Sequence, residues 1–281
     1  MTFKLRLLLT SKCTARCAYC HNEGQSKAEN LLSLPLIKRV LDELVLKNRL
    51  PEEIVLSGGE PTLHKQLGEI ARLCRATGAW VSMDSHGGHP ELLAAALPYL
   101  DELKLHIDSF DTAQQYASMR IDLQEVLKSV ALAKTSGVQL RINHPVKGVA
   151  HTQAFVREAC ERQLDCKLIE MFGQDDVTNL ACLDWRQDGY KRQQDGDWLH
   201  TATGHRVSGK RCGGKANPLD SLFVSAEGIR RSLDGEIIAP VHAFSVACLD
   251  TAPSTSTTPA QRIVQHRKGT PRTSSPASRS L

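Results

Sequence analysis

The sequence predicts an α/β protein in which a parallel sheet curls into a partial (β/α)6 barrel. Six short runs rich in Val, Ile and Leu are separated by segments whose apolar residues recur at helical spacing. Such alternation is typical of a parallel sheet, because each parallel connection needs a crossover long enough for a helix. With 281 residues, of which 41% are hydrophobic, the chain is long enough to bury one core of this size.

The strands and their connecting helices are assigned in chain order. The strand patterns are FKLRLLL, EIVLS, AWVSMD, ELKLHI, VQLRIN and CKLIEMF. The first helix follows the start signal SLP, and its apolar face comprises Leu34, Ile37, Val40, Leu41, Leu44 and Val45. The other helices are expected over residues 67–76, 90–97, 123–134 and 153–162.

The alternation ends near Gly173, and we expect a different architecture beyond it. DGDWLHTATGHRVSG and SLFVSAEGIRRSLDGE have the pattern of β-hairpins, while residues 185–196 are polar and loop-like. Residues 251–281 are rich in Ser, Thr and Pro, and such a segment buries too little apolar surface to offset its ordering entropy. We therefore expect a core domain over 1–173, a small β-rich extension over 174–250 and a disordered tail over 251–281.

Charge and hydropathy argue against two classes of function. The chain has 35 basic and 31 acidic residues, but five basic residues lie in the acid-free tail, which leaves 30 basic against 31 acidic residues before it. A basic surface for nucleic acid is therefore not expected. No stretch approaches the roughly 20 apolar residues of a membrane span and no signal peptide is recognised, so we expect a cytoplasmic protein.

Three cysteines lie within eight residues just after the first strand: Cys13, Cys17 and Cys20 in TSKCTARCAYCHNEG. In a reducing compartment, clustered cysteines indicate metal or redox chemistry more often than disulfides. Three thiolates would hold an iron–sulfur cluster with one iron left open for a ligand. Two alternatives are a zinc site with His21 as its fourth ligand and a redox pair at CAYC.

The motif CTARCAYC resembles the signature of the radical S-adenosylmethionine (SAM) superfamily, including the aromatic residue before the third cysteine. The resemblance implies one 4Fe–4S cluster on Cys13, Cys17 and Cys20, with SAM bound through the open iron. It also implies that one electron cleaves SAM to a 5′-deoxyadenosyl radical, which abstracts hydrogen from a substrate. These three cysteines are therefore the expected catalytic and metal-binding residues.

A second match follows the second strand, where SGGEPTL resembles the GGEP motif of the same superfamily. The resemblance implies that Gly58, Gly59, Glu60 and Pro61 contact the methionine amino group of SAM. Glycine lets the backbone approach a ligand closely, and exposed carbonyls together with Glu60 can accept hydrogen bonds from an ammonium.

Within the superfamily, residues 3–173 are most similar to the GTP 3′,8-cyclase of molybdenum cofactor biosynthesis and its relatives. LKLHIDSFD, LAKTSGVQLRINHPVKGV and LIEMF carry this similarity. With the polar residues that follow the predicted strands, it implies a set of site residues. Those expected to bind the cofactor are Tyr19, His106, Asp108, Asn143 and Met171, and those expected to bind the substrate are Arg6, Ser85 and Arg141.

The sequence also departs from the cyclase pattern. Val55 occupies the position of an arginine that grips GTP, and an apolar side chain cannot pair with phosphate. Of the C-terminal cysteines that hold a second cluster in the cyclase, only Cys212 is kept, and Ser232 lies near where another is expected. We therefore expect a single cluster, and the departures argue against GTP as the substrate.

The leading hypothesis is an enzyme that modifies or cyclises a small organic, nucleotide-like substrate, with Arg6 and Arg141 holding an anionic group. The alternatives are a peptide- or protein-modifying enzyme and a non-catalytic iron–sulfur binding or sensing module. The implied partners are the small-molecule substrate and an electron donor such as a flavodoxin or ferredoxin. His64, His144 and His151 are expected at the surface or in loops.

Overall fold

The structure, a computed structural model, describes residues 3–20, 22–26, 29–171, 180, 183–210, 220–231 and 236–250. The first six strands are β1 (Phe3–Thr10), β2 (Glu53–Gly58), β3 (Trp80–Ser85), β4 (Glu102–His106), β5 (Gln139–Pro145) and β6 (Cys166–Ile169). The helices between them are α1 (Leu34–Leu46), α2 (Leu67–Ala76), α3 (Pro90–Leu93), α4 (Thr112–Met119), α5 (Leu123–Ser136) and α6 (Val149–Glu161). The later strands are β7 (Tyr190–Arg192), β8 (Trp198–His200), β9 (Arg206–Lys210), β10 (Asp220–Ser225) and β11 (Gly228–Arg230).

These strands form one sheet, in the order β11-β10-β1-β2-β3-β4-β5-β6-β9-β8-β7. Neighbours from β1 to β6 are parallel and follow one another in chain order, with helices in the connections. Within the described residues the sheet stays open between its edge strands β11 and β7. The predicted α/β fold with a partial barrel is therefore confirmed.

The C-terminal strands extend the barrel at both of its edges. β9 pairs parallel with β6, and β10 pairs parallel with β1. The two predicted hairpins are present as the antiparallel pairs β8–β9 and β10–β11. The loop expected over residues 185–196 is wrong in part, because β7 pairs with β8 and buries Tyr190, whose hydroxyl lies 2.7 Å from His205 Nδ1. The boundary at residue 173 and the tail over 251–281 lie outside the described residues and stay predictions.

Two helical segments differ from the prediction. The helix expected over 90–97 ends at Leu93, and a 3-10 turn follows over Leu97–Tyr99, where Pro98 has no backbone N–H to donate. Helix α4 was not predicted, because TAQQYASM is polar and has only a weak apolar face. Its start is set by Asp111, whose side chain accepts a hydrogen bond from Gln114 N at 2.8 Å.

Alternate residues of each strand face opposite sides of the sheet, and the two sides differ in chemistry. The outward residues pack beneath the helices and form the apolar core, for example Leu5, Leu7, Ile54 and Leu56, all fully buried. The inward residues are mostly polar or charged. The barrel interior is therefore a polar chamber that opens where the parallel strands end.

Two of the histidines expected at the surface or in loops are buried in this scaffold. His64 is 3% exposed, and its Nε2 lies 3.1 Å from the Leu32 carbonyl oxygen. His144 is fully buried on the outward face of β5 and stacks on Phe155 with ring centroids 3.7 Å apart. His64 does lie in a connection, between the 3-10 turn Pro61–Leu63 and α2, whereas His144 lies in β5. The burial of both was not predicted, because a histidine that has a backbone partner can sit in an apolar layer. No helix in the described parts of the chain is both long and apolar enough to cross a membrane.

Candidate active site

The segment Ser11 to Cys20, here called the cysteine loop, leaves the end of β1 and crosses the mouth of the barrel. Ser11 N donates to the Asn30 carbonyl at 3.0 Å, and Arg16 N donates to the Met119 carbonyl at 2.9 Å. Cys20 N donates to the Cys17 carbonyl at 3.1 Å and closes a turn. The unpredicted helix α4 therefore anchors the middle of this loop.

The three thiols of the cysteine loop lie close enough to influence one another. Cys13 and Cys20 are exposed and Cys17 is half-buried. Crowding by protein atoms raises the pKa of the Cys13 thiol to about 12, and the charges of Glu60, Cys20 and Cys17 act in the same direction. Burial, with Asp108 and Cys20, raises the pKa of the Cys17 thiol to about 11. A cationic centre between these sulfurs would stabilise their charged thiolate forms.

The geometry bears on the alternatives for this motif. Cys17 and Cys20 are both free thiols in the structure. Among the described residues, no three His, Cys, Asp or Glu side chains are arranged around a single metal ion, and His21 lies outside those residues. A multi-iron cluster holds its thiolates farther apart than one ion does. A set of three thiolates fits an iron–sulfur cluster that keeps one iron open, and the zinc alternative with His21 is not tested by the described residues.

The GGEP segment docks directly on the cysteine loop. Gly59 N donates to the Thr10 carbonyl at 2.7 Å, and Glu60 N donates to the Lys12 carbonyl at 2.7 Å. A Cβ atom added at Gly59 would lie 2.2 Å from the Lys12 carbonyl oxygen, and one at Gly58 would lie 2.5 Å from the Thr10 carbonyl oxygen. Glycine is required at both positions because two backbones meet there.

Glu60 and Ser85 hold the GGEP segment against the end of β3. Glu60 is fully buried, and its Oε1 accepts from Thr62 N at 3.1 Å, from the Thr62 hydroxyl at 2.8 Å and from the Ser85 hydroxyl at 2.7 Å. Its Oε2 accepts from His86 N at 2.9 Å. Pro61 then starts a 3-10 turn. The ligand contacts expected of Glu60, Pro61 and Ser85 stay predictions, whereas their contacts in the protein are structural.

Tyr19 joins the cysteine loop to the end of β4. Its hydroxyl donates to Asp108 Oδ1 at 2.6 Å and lies 2.9 Å from His106 Nε2. Asp108, 1% exposed, also accepts from Lys147 Nζ at 2.6 Å and from the Ser118 hydroxyl. Burial alone would raise the pKa of the Asp108 carboxyl, but hydrogen bonds from His106, Lys147 and Ser118 hold it well below its usual range. Asp108 is therefore ionised and saturated with protein partners.

The two arginines expected to bind substrate are paired with carboxylates of the protein. Arg6 donates to Glu23 Oε1 at 3.1 Å and to Asp84 Oδ2 at 3.0 Å. Arg141 Nε lies 3.1 Å from Glu102 Oε1. An arginine whose charge is already matched offers little net attraction to an anion. Their role as substrate ligands stays a prediction.

Asn143 and Met171 lie where a bound molecule could reach them. Asn143 faces the barrel interior and is the register partner of His106 on the adjacent strand β4. Its buried Oδ1 has no hydrogen-bond partner among the described residues. Met171, Arg16 and Tyr19 line an open cleft of about 560 Å³ beside the cysteine loop. A buried amide oxygen without a partner is costly unless a ligand donates to it. Asn143 therefore fits a contact to SAM, as the resemblance implies.

Several functional contacts were not predicted. The Thr14 hydroxyl, next to Cys13, lies 3.0 Å from both His86 Nε2 and His89 Nε2 and so ties the cysteine loop to the segment after β3. Lys147 and Ser118 complete the Asp108 network. The sequence signal for Lys147 was its place just after β5, since polar residues at the carboxyl ends of barrel strands line the site.

Comparison with known proteins agrees with this geometry. Residues 7–148, about half of the chain, match the model of the Radical SAM superfamily. The probable GTP 3′,8-cyclase of Pyrococcus horikoshii is 30% identical over 176 residues, which cover 59% of this chain and 55% of that protein. The chain spans about half the length of the curated relatives it matches.

Solved structures share the fold. SuiB of Streptococcus suis bound to S-adenosylmethionine aligns with a TM-score of 0.60 at 14% identity, over 82% of this chain and 60% of that one. SuiB bound to its precursor peptide SuiA aligns with a TM-score of 0.65 at 12% identity, over 90% of this chain and 62% of that one. At such low identity this likeness concerns the architecture alone. The family match over half of the chain, together with the docked cysteine and GGEP segments, shows that the protein belongs to the radical SAM superfamily.

Proposed function

We propose that the protein cleaves SAM reductively and uses the resulting radical to modify or cyclise a small organic, nucleotide-like substrate inside the barrel. The observation that carries this proposal is the docking of the GGEP segment on the cysteine loop at the carboxyl ends of β1 and β2. This contact places exposed thiols and backbone carbonyls at one edge of a polar chamber, where barrel enzymes carry out their chemistry.

The cofactors of the superfamily are a 4Fe–4S cluster and SAM, and they are the cofactors of this chain. When bound, the cluster supplies one electron that splits the sulfonium of SAM into methionine and a 5′-deoxyadenosyl radical. Cys13, Cys17 and Cys20 would hold the cluster as thiolates. The backbone carbonyls of the GGEP segment would accept hydrogen bonds from the methionine ammonium, because the Glu60 carboxylate is engaged within the protein. Asn143 would accept a hydrogen bond through its free Oδ1.

The resemblance to GTP 3′,8-cyclases supports a small polar substrate. Curated relatives of that name share about 30% identity with the matched half of the chain. Val55, where the cyclase pattern has an arginine, faces inward next to Arg6 and offers no donor to a phosphate. We therefore place the substrate among nucleotide-like or comparable small metabolites other than GTP.

Peptide modification is the second candidate, and one observation favours it. The cleft lined by Tyr19, Arg16 and Met171 is open to solvent at the side of the cysteine loop. The SuiB structure that shares the fold was solved with its precursor peptide SuiA. An open lateral entrance would admit an extended chain as well as a small molecule.

An external reductant is required, and we propose a flavodoxin or ferredoxin. These carriers are acidic, and the exposed Arg16 of the cysteine loop and the exposed Arg120 beside it provide a complementary charge. Low-salt conditions should then speed electron delivery, since such encounters weaken with ionic strength.

The proposal is tested by anaerobic reconstitution. We expect about four iron and four sulfide per chain, and 5′-deoxyadenosine on addition of SAM and dithionite, measured by liquid chromatography with mass spectrometry. Candidate nucleotides and peptides are then compared by how far each increases deoxyadenosine formation. A preparation that binds iron but never cleaves SAM would contradict the proposed function and leave only a binding role.

A further inference from the structure

The inward-facing cations on the β1–β4 side of the barrel all have carboxylate partners. Lys4 pairs with Glu53, and Lys104 Nζ lies 2.9 Å from Glu53 Oε1 and 3.2 Å from Glu102 Oε2. Arg6 is held by two carboxylates, as described above. The charge of this wall is therefore balanced by the protein itself.

The opposite wall, formed by β6 and β9, carries two lysines. Lys167 pairs in register with Ser208 on β9, and Lys210 pairs with Ile169 on β6, so that both lysines lie on the inward face. Within the described parts of the chain, neither ammonium group has a carboxylate within 4.0 Å, although every other inward-facing lysine or arginine named here does. Positive charge is thus unmatched on one side of the chamber.

These lysines lie in the part of the chamber next to the cofactor residues. The register His106–Asn143–Lys167–Ser208 crosses β4, β5, β6 and β9 as one row near the carboxyl ends of the strands. Asn143, the neighbour of Lys167 in this row, carries the buried Oδ1 that has no partner among the described residues. Two independent features of adjacent strands, an unmatched charge and an unpartnered acceptor, therefore point to a ligand.

The electrostatic environment agrees with this geometry. Burial, together with the positive charges of Lys104, Lys210 and Arg141, lowers the pKa of the Lys167 ammonium to about 8. The charge of Asp84, which is already bound to Arg6, opposes this effect. An anion bound next to Lys167 would reduce the repulsion between these cations and would be attracted by their positive charge.

We propose that Lys167 and Lys210 bind an oxyanion of the substrate, a phosphate or a carboxylate, on the β6–β9 wall beside Asn143. This inference deepens the proposed function and rests on it for the identity of the ligand as substrate. It replaces Arg6 and Arg141, which were expected from the sequence, as the source of free positive charge.

The test uses the anaerobically reconstituted full chain saturated with SAM, with inorganic phosphate and succinate as probes in calorimetric titrations. We expect Lys167→Met to weaken binding of the preferred probe roughly 10- to 100-fold, the value of one charge-assisted hydrogen bond. Lys210→Met should weaken it in the same direction, and Lys167→Arg should retain binding within a few fold. Lys191→Met, at an exposed position of β7, is the matched control and should leave the affinity unchanged. Preference for phosphate or for succinate identifies which oxyanion the site takes.

Three results would overturn the inference. Equal affinity in wild type and Lys167→Met, with thermal melting unchanged, would show that the lysine does not bind anions, as would no measurable binding in wild type. Loss of SAM binding in Lys167→Met would assign the lysine to the carboxylate of the cofactor instead. Deoxyadenosine formation without any added substrate is measured in parallel, so that failure of SAM cleavage, which concerns the proposed function, is distinguished from failure of anion binding.

Discussion

Two sides of the barrel mouth are built on different principles. On the β1–β3 side, the cysteine loop and the GGEP segment are held by backbone hydrogen bonds, and polar side chains such as Glu60 and Ser85 are saturated by partners in the protein. On the β5, β6 and β9 side, Asn143 keeps a free acceptor, and Lys167 and Lys210 have no carboxylate within reach in the described residues.

This difference indicates that the two sides of the barrel mouth have different roles. A buried polar group with a full set of protein partners fixes geometry, because moving it would cost those bonds. A buried polar group left without a protein partner is costly, and a ligand that bonds to it removes that cost. The first side therefore acts as a rigid seat for the cofactors, and the second as the surface that meets bound molecules.

The largest effect is expected from the seat itself. Cys17→Ala removes one of three thiolate ligands, so we expect loss of the cluster and no detectable deoxyadenosine. Iron and sulfide analysis and mass spectrometry measure both. Cys160→Ser, on α6 away from the mouth, is the control and should retain the cluster. Full activity of Cys17→Ala would refute the assignment of the motif.

Gly59→Ala tests whether the two loops must touch. The added methyl would lie 2.2 Å from the Lys12 carbonyl oxygen, so the segments must separate, with an overpacking cost of roughly 1–3 kcal/mol. A shift of about 1 Å at the site should reduce SAM cleavage roughly 100-fold. Gly137→Ala, at a left-handed position with nothing within 4 Å, should cost about 1 kcal/mol of stability and leave cleavage intact. Equal rates of SAM cleavage in Gly59→Ala and Gly137→Ala would show that cleavage does not depend on the contact between the GGEP segment and the cysteine loop.

Asp108→Asn tests the link between the cysteine loop and β4. The amide cannot replace a carboxylate that accepts from Tyr19, Ser118 and Lys147, so we expect a loss of about 2 kcal/mol of stability and roughly tenfold slower SAM cleavage. Asp122→Asn, which keeps a good N-cap on α5, is the control. If cleavage in Asp108→Asn equals that of the control, Asp108 has no part in positioning the loop.

A smaller effect is expected from His144, which belongs to the buried scaffold and not to the candidate site. Burial lowers the pKa of His144 to about 3, so below pH 6.5 the unfolded chain takes up a proton that the native chain does not. Stability contributed by the neutral imidazole is therefore lost as the pH falls from 6.5 toward 3. Between pH 7 and pH 5 this amounts to about 2 kcal/mol. Urea unfolding of the cluster-free protein should show a fall in the free energy of unfolding between pH 7 and pH 5. This fall should be smaller by about 2 kcal/mol in His144→Phe. An equal fall in the two proteins would contradict the assignment.

Much of the scaffold could be predicted from the sequence, because its signals are local. Apolar periodicity located the six strands and their main helices, and cysteine spacing located the loop. Helix α4 escaped detection because its position depends on the Asp111 cap and on contacts with the cysteine loop rather than on an apolar face. The attachment of β9 and β10 to the two edges of the barrel depends on pairings between residues far apart in sequence.

The ligand-facing chemistry was harder to predict. Sequence similarity picked out Arg6 and Arg141 as cations, but not that Asp84 and Glu102 neutralise them. It also passed over Lys167 and Lys210, since the face of the sheet on which a lysine of a short strand lies is known only once the strand register is known. Charge balance is a property of the three-dimensional arrangement, and composition alone does not contain it.

The most direct test of the cofactor seat is electron paramagnetic resonance of the reduced, reconstituted protein before and after SAM is added. We expect a 4Fe–4S signal that changes on SAM addition, because SAM would bind the iron that has no cysteine ligand. The same addition should leave the signal of Gly59→Ala nearly unchanged. A wild-type signal that does not respond to SAM would contradict the seat formed by Cys13, Cys17, Cys20 and the GGEP segment.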